Sequence, residues 1–146
     1  MKVKDYTVTL TVNATPSEVF QHINNVAAWW TDEWKGQSKK LNDTFTVQFA
    51  DMHISTQQIT EFIPDQKVVW LVTKSNLSFI TNKSEWTNTS IRFELSTQGN
   101  TTKLVFTHAG LSPDIECYKD CCKGWDYYIK GSLHKLLTEG KGTPGL

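Results

Sequence analysis

Residues 102–139 read TKLVFTHAGLSPDIECYKDCCKGWDYYIKGSLHKLLTE, and they change rhythm halfway. In the first part Leu104, Phe106 and His108 alternate with polar neighbours, the period of a strand with one buried face. Beyond Gly110 the spacing switches. Tyr118, Cys122, Trp125, Ile129, Leu133 and Leu136 recur every three or four residues, which is the buried stripe of a helix. Ser112, Pro113 and Asp114 supply an N-cap, a first-turn proline and an acid suited to the helix dipole, and Gly140 supplies the stop. A strand that runs straight into a long helix, expected to end at Glu139, implies a helix laid back over the sheet.

Upstream, the chain reads mostly as further strands. VKDYTVTLTVNA turns Tyr6, Val8, Leu10 and Val12 to one side. Thr15, Pro16 and Glu18 form a capping box with proline at the first helical position, opening a short helix whose buried side is Val19, Phe20 and Ile23. VAAWWT reads as a second short helix after Asn24-Asn25. DTFTVQF, HISTQQITEF, VVWLVT and SIRFEL follow as strands separated by turn signals such as IPDQK. LSFITNKSEWTNT is irregular and reads as a bulged strand, and GKGTPG reads as a frayed tail.

The fold class is therefore α+β: a curved antiparallel sheet with two short helices and a long C-terminal helix across one face. A single helix cannot cover so wide a sheet, so a space between sheet and helix is expected. With 146 residues and neither repeats nor linkers, residues 1–146 read as one domain able to bury a substantial core.

Composition removes several classes of function. Fifteen basic and fifteen acidic residues cancel, and no basic stripe is present, which argues against nucleic acid as a partner. No apolar run approaches the ~20 residues of a membrane span. The start, MKVKDYTVTL, alternates like a strand and not like a signal peptide. Cys117, Cys121 and Cys122 are too few and too close for a disulfide framework, so a reducing cytoplasm is expected. No metal-ligand spacing, nucleophile motif or phosphate loop occurs, so neither metal nor cofactor is expected.

The inward parity of His108 admits two readings, a core histidine bonded to a neighbour or a polar handle in an apolar pocket. Trp70 belongs to core or cavity wall. Gly124 and Gly131, each costing about 1 kcal/mol in a helix, admit close approach to the sheet or room for a guest. Trp29, Trp30 and Trp34 crowd into six residues, either as rim and lid of the space or as a plug for its open end.

Taken together, YTVTLTVNATPSEVFQHINNVAAWW, KSEWTNTSIRFEL, GNTTKLVFTHAGL and the segment from Phe106 to Pro144 resemble the SRPBCC (START-like, helix-grip) superfamily. Within it the chain is similar to bacterial members of the heat-shock protein 90 ATPase activator homologue family, notably in the Gly124-Trp125 step and the trailing Gly-x-Gly-x-Pro. The resemblance implies a deep cavity for lipids, polyketides or other apolar molecules. Its wall would comprise Trp70, Phe79, His108, Tyr118, Cys121, Trp125, Tyr128 and Ile129, with Trp29 and Trp30 at the entrance. The chain is expected to be a lone domain, without the extra domain by which eukaryotic activators hold the chaperone, and no catalytic set of the enzymatic cyclases is evident.

Three functions follow as expectations. The first is a carrier or sensor of a small hydrophobic or amphipathic molecule, without catalysis. The second is a co-chaperone or stress-response protein presenting the edge at Trp29, Trp30 and Trp34 to a protein partner. The third is a cavity enzyme of cyclase or hydrolase type with His108 as the acid–base group.

Overall fold

The computed structural model describes residues 5–145, and the expected start of the first strand at residues 1–4 lies outside them. Seven antiparallel strands form one sheet in the order β1-β7-β6-β5-β4-β3-β2. They are β1 (Tyr6–Val12), β2 (Trp34–Gly36), β3 (Thr44–Phe49), β4 (His53–Ile63), β5 (Lys67–Leu77), β6 (Ser90–Gln98) and β7 (Thr101–Ala109). From β3 to β7 each strand returns beside its predecessor, while β1 closes against β7 with Tyr6 opposite His108. Register shifts at Thr56/Gln57 and Ile59/Glu61 bulge the β4–β5 pair and curl the sheet. The short β2, which puts Trp34 opposite Val47, had no period long enough to be read in the sequence.

The capping box forms as its residues dictate: Thr15 Oγ1 accepts from the Glu18 amide, and the Thr15 amide donates to the Glu18 carboxylate. It opens α1 (Pro16–Asn24), and α2 (Val26–Trp29) follows. The chain finishes in a helical rod made of α3 (Tyr118–Trp125), a π-helical segment (Asp126–Leu133) and α4 (His134–Glu139).

That rod corrects two expectations. It begins at Tyr118, and Ser112, Pro113 and Asp114 lie in a turn before it. Its start is capped from elsewhere: the Glu85 carboxylate accepts from the amides of Glu116 and Cys117, at 2.8 and 2.9 Å. Glu116 returns the exchange by accepting from Thr81 and Asn82. Secondly, the best-buried row is Cys117, Cys121, Trp125, Ile129, Leu133 and Leu137, spaced strictly by four, while Tyr118 and Cys122 are only half-buried. In a pure α-helix such a row drifts around the axis by about 40° per step. The wider i→i+5 turns of the π segment rotate it back, and the row stays buried along the rod.

The bulged strand expected at LSFITNKSEWTNT is instead a turn-rich loop, residues 78–89, anchored by buried Trp86. Nor is the tail frayed. Gly145 N donates to Trp30 O, Tyr128 Oη donates to Gly145 O, and Thr143 N donates to Ser132 Oγ. Gly142 passes so close that a Cβ there would stand 2.5 Å from Ala28 O and 2.9 Å from Ser132 O.

Candidate functional site

The space under the helix is largely filled with indole. Trp70 stacks on Trp30 at 5.9 Å, Trp30 on Trp125 at 5.1 Å, and Trp125 on Trp86 at 5.7 Å. Trp29 lies against both Trp30 and Trp70. Phe45, Phe93 and Phe106 meet this column with tilted or edge-on rings. Trp29 and Trp30 are 0 % and 2 % exposed, so the tryptophan-rich edge does not exist as a docking surface. Only Trp34 stands outside the column, half-buried and edge-on to Phe45. The two side chains follow each other at the end of a four-residue helix, whose tight turn lets both rings face inward.

What remains of the space is a pocket of about 130 Å3 between α3, the β3–β4 turn and the 78–89 loop. Its apolar walls are Trp30, Phe49, Trp86, Trp125 and Tyr128, with Cys121 and Gly124 on the helix side; Met52, Phe79 and Asp120 are exposed around its mouth. Of the residues expected on sequence grounds, Trp30, Phe79, Cys121, Trp125 and Tyr128 meet here. Trp29, Trp70 and Ile129 are core behind the pocket, and Tyr118 and His108 do not line it. A Cβ at Gly124 or Gly131 would touch nothing within 4 Å, so neither glycine serves close approach, and Gly124 borders the pocket. A larger groove of about 500 Å3 lies between α1 and the β2 side of the sheet. Phe20, Trp34 and Phe62 share its lining with Gln21, Asn24 and Lys39.

His108 is not a polar handle. Trp125 Nε1, a donor only, bonds to His108 Nδ1 at 2.9 Å, which fixes the imidazole proton on Nε2. That nitrogen meets Thr89 Oγ1 at 2.8 Å, and the Thr89 hydroxyl donates onward to Trp86 O. Both nitrogens are therefore spent inside the fold, and burial pushes the pKa down to about 3, helped by nearby His53. An imidazole so saturated has no free nitrogen with which to act as acid or base, so the catalytic role expected for it is overturned.

His53 was missed. Its ring stands edge-on to Trp86 at 4.6 Å and to Phe49 at 5.2 Å, and it lines the pocket. Its Nε2 lies 2.8 Å from Ser55 Oγ, which in turn accepts from Gln57 Nε2. The other ring nitrogen, Nδ1, has no hydrogen-bond partner among the described residues. Burial lowers its pKa to about 4, so the group at the pocket is a neutral imidazole. HISTQQITEF is polar enough to read as an outer strand, and only the parity of His53, Ser55, Gln57 and Ile59 held the signal.

Two further groups are disarmed. Cys121 Sγ accepts from Trp86 Nε1 at 3.4 Å, and its pKa is raised, first by hydrogen bonding with Cys117 and then by burial. Burial likewise raises the Tyr128 hydroxyl to about 12. Among the described residues no group of three or more His, Cys, Asp or Glu is placed to hold a metal. No helix among them is long and apolar enough to cross a membrane.

A curled antiparallel sheet gripped by a C-terminal helix defines a helix-grip protein of the SRPBCC type. Residues 13–138 match the model of the family described as Activator of Hsp90 ATPase homolog 1-like protein, and the chain belongs to that family. Among solved structures it is similar to the Aha1 dimer from Colwellia psychrerythraea, with 24 % identity over 95 % of this chain and 99 % of that one, at a TM-score of 0.77. Mll3558 from Rhizobium loti is 16 % identical, over 88 % of this chain and 94 % of that one, at 0.70. DynU16 of the dynemicin biosynthetic locus is 16 % identical, over 93 % of this chain and 48 % of that one, at 0.64. These likenesses speak for the fold. No curated protein matches the chain.

Proposed function

We propose that this protein is a cytoplasmic binding module that holds a small apolar or amphipathic molecule in the pocket between α3 and the β3–β4 turn, as carrier or sensor and without chemistry. The observation that carries the reading is an aromatic-walled hollow with His53 set in its wall and Asp120 at its mouth, a mostly apolar lining with few polar groups as in small-molecule sites. Its volume sets the scale. A dry cavity of roughly 150 Å3 takes one benzene ring, so the pocket suits a single ring or the end of a chain.

Gly124→Leu should fill the hollow while leaving the helix intact, since the added side chain meets no atom of the fold at its base. Native mass spectrometry of protein taken directly from cells should show a guest on the wild type and none on the variant. Indole fluorescence titrated with toluene should saturate for the wild type alone. Equal binding by both proteins, or by neither, refutes the assignment.

A second reading rests on exposed Met52 and Phe79 beside the mouth, an apolar rim suited to a protein side chain, in a family described by activation of a chaperone ATPase. In this co-chaperone reading Phe79→Ser abolishes stimulation of the Hsp90 ATPase and leaves the toluene titration unchanged. Unchanged stimulation removes it.

A further inference from the structure

Three buried side-chain atoms have no hydrogen-bond partner among the described residues: Asn24 Oδ1 at the end of α1, and, in the core, Gln57 Oε1, an acceptor, and Trp70 Nε1, a donor. Gln57 and Trp70 are both fully buried. Leaving such atoms unmatched is costly, of the order of a full desolvation penalty each, so a fold that keeps both invites an explanation. They sit on adjacent strands, with Gln57 opposite Val72 and Ile59 opposite Trp70, and so are diagonal neighbours on the inner face.

They are also connected to the pocket. His53, Ser55 and Gln57 form one hydrogen-bonded row along β4, with His53 in the pocket wall and Gln57 two steps deeper. Trp30 separates the two places: it lines the pocket and also stacks on Trp70. A guest therefore reaches the row behind the hollow only by displacing that indole.

We infer that the guest of this site is an apolar molecule ending in a hydroxyl, which passes Trp30 and lodges between Gln57 and Trp70. The inference rests on the binding reading above and names the chemistry of its ligand. A hydroxyl is the smallest group that offers both halves of the match, accepting from Trp70 Nε1 and donating to Gln57 Oε1. An ether or ketone satisfies the indole alone, and a hydrocarbon satisfies neither. Successive inward side chains on a strand lie about 6.6 Å apart, so Gln57, two steps from His53, stands about 13 Å in, the reach of a chain of roughly ten carbons.

The test compares 1-decanol, decyl methyl ether and decane by indole-fluorescence titration of the full chain, with Gln57→Leu and Trp70→Phe as variants. The alcohol should bind about tenfold or more tightly than either analogue. Each variant should erase that preference while still binding decane. The Trp70 Nε1–H resonance, assigned by its loss in Trp70→Phe, should move downfield with the alcohol only. If all three probes bind alike, or the preference survives both variants, the hydroxyl assignment falls and the pocket reading stands. The assignment falls in the same way if a bound structure shows a water molecule between the two atoms and the alcohol elsewhere. If no probe binds while toluene does, the hydroxyl assignment falls and the pocket reading stands; if toluene fails as well, both fall. Should one variant fail to fold, the other variant and the wild-type resonance decide the matter.

Discussion

The same substitution, glycine to alanine, should have opposite effects at two positions in the C-terminal region, and the contrast tests the packing around the site. At Gly124 a Cβ has no heavy atom within 4 Å, and the residue lies inside α3. Alanine there removes only the helix cost of glycine, a gain of about 1 kcal/mol. For a chain of this length that corresponds to a rise of roughly 2–4 °C in Tm. At Gly142 the new Cβ falls 2.5 Å from Ala28 O, 2.9 Å from Ser132 O and 3.0 Å from Ser132 Oγ. Two of these contacts are backbone carbonyls, so relief means moving α2 or the π segment, and overpacking of this kind costs about 1–3 kcal/mol. Tm should therefore drop by several degrees. Differential scanning calorimetry and urea unfolding of the two variants, with unchanged m-values, are the assays. A Gly142→Ala protein as stable as wild type would mean that the tail does not pack between α2 and the helix. Its hold on Trp30 and Tyr128 would then be void. A destabilised Gly124→Ala would mean that the pocket beside it is already filled by protein atoms.

Acid should destabilise the protein earlier than its carboxylates alone would. His108 and His53 have folded pKa values of about 3 and about 4 against 6.5 when unfolded, so below pH 6.5 the unfolded chain binds more protons and stability falls with pH. Their contribution is complete above pH 6.5 and shrinks as pH falls towards 4. Between pH 7 and pH 5 each costs on the order of 1–2 kcal/mol, and urea titrations of His108→Asn and His53→Gln should flatten that decline; an unaltered pH profile in both would exclude the neutral assignment. Glu85→Ala removes the cap on Glu116 and Cys117 and should cost about 1–2 kcal/mol, with faster hydrogen exchange at those two amides; unaltered protection there would discredit the cap.

The strands were legible because each carries its burial in its own alternation. Leu104, Phe106 and His108 point inward as their parity demands, as do Phe45, Val47 and Phe49. The family could be read from stretches at both ends of the chain. The start of the rod misled because a good local signal, Ser-Pro-Asp, competed with a cap supplied by Glu85, some thirty residues earlier. The π segment was hidden for a different reason: a helical period of three and four was imposed on a row whose spacing is four throughout. Trp86 escaped because a turn-rich loop has no period from which burial can be judged. The site itself was half legible. Its helix residues were found by burial, whereas His53 belongs to a strand that looks solvated.

The two inner histidines show why burial alone does not locate a site. Both are neutral, both lie among aromatic rings, and burial lowers the pKa of each. They differ in bookkeeping of donors and acceptors. His108 meets an indole N–H with one nitrogen and a threonine hydroxyl with the other, so removing it would break the joint between β7, the 78–89 loop and the helix. His53 spends one nitrogen on Ser55 and leaves the other at the pocket. A group that is fully matched inside the fold holds the fold; a group matched on one side only can still recognise something else. The same criterion sets Gln57 and Trp70 apart from the rest of the core, and it places every unmatched polar atom on the inner face of β4 and β5 on a line that begins at His53.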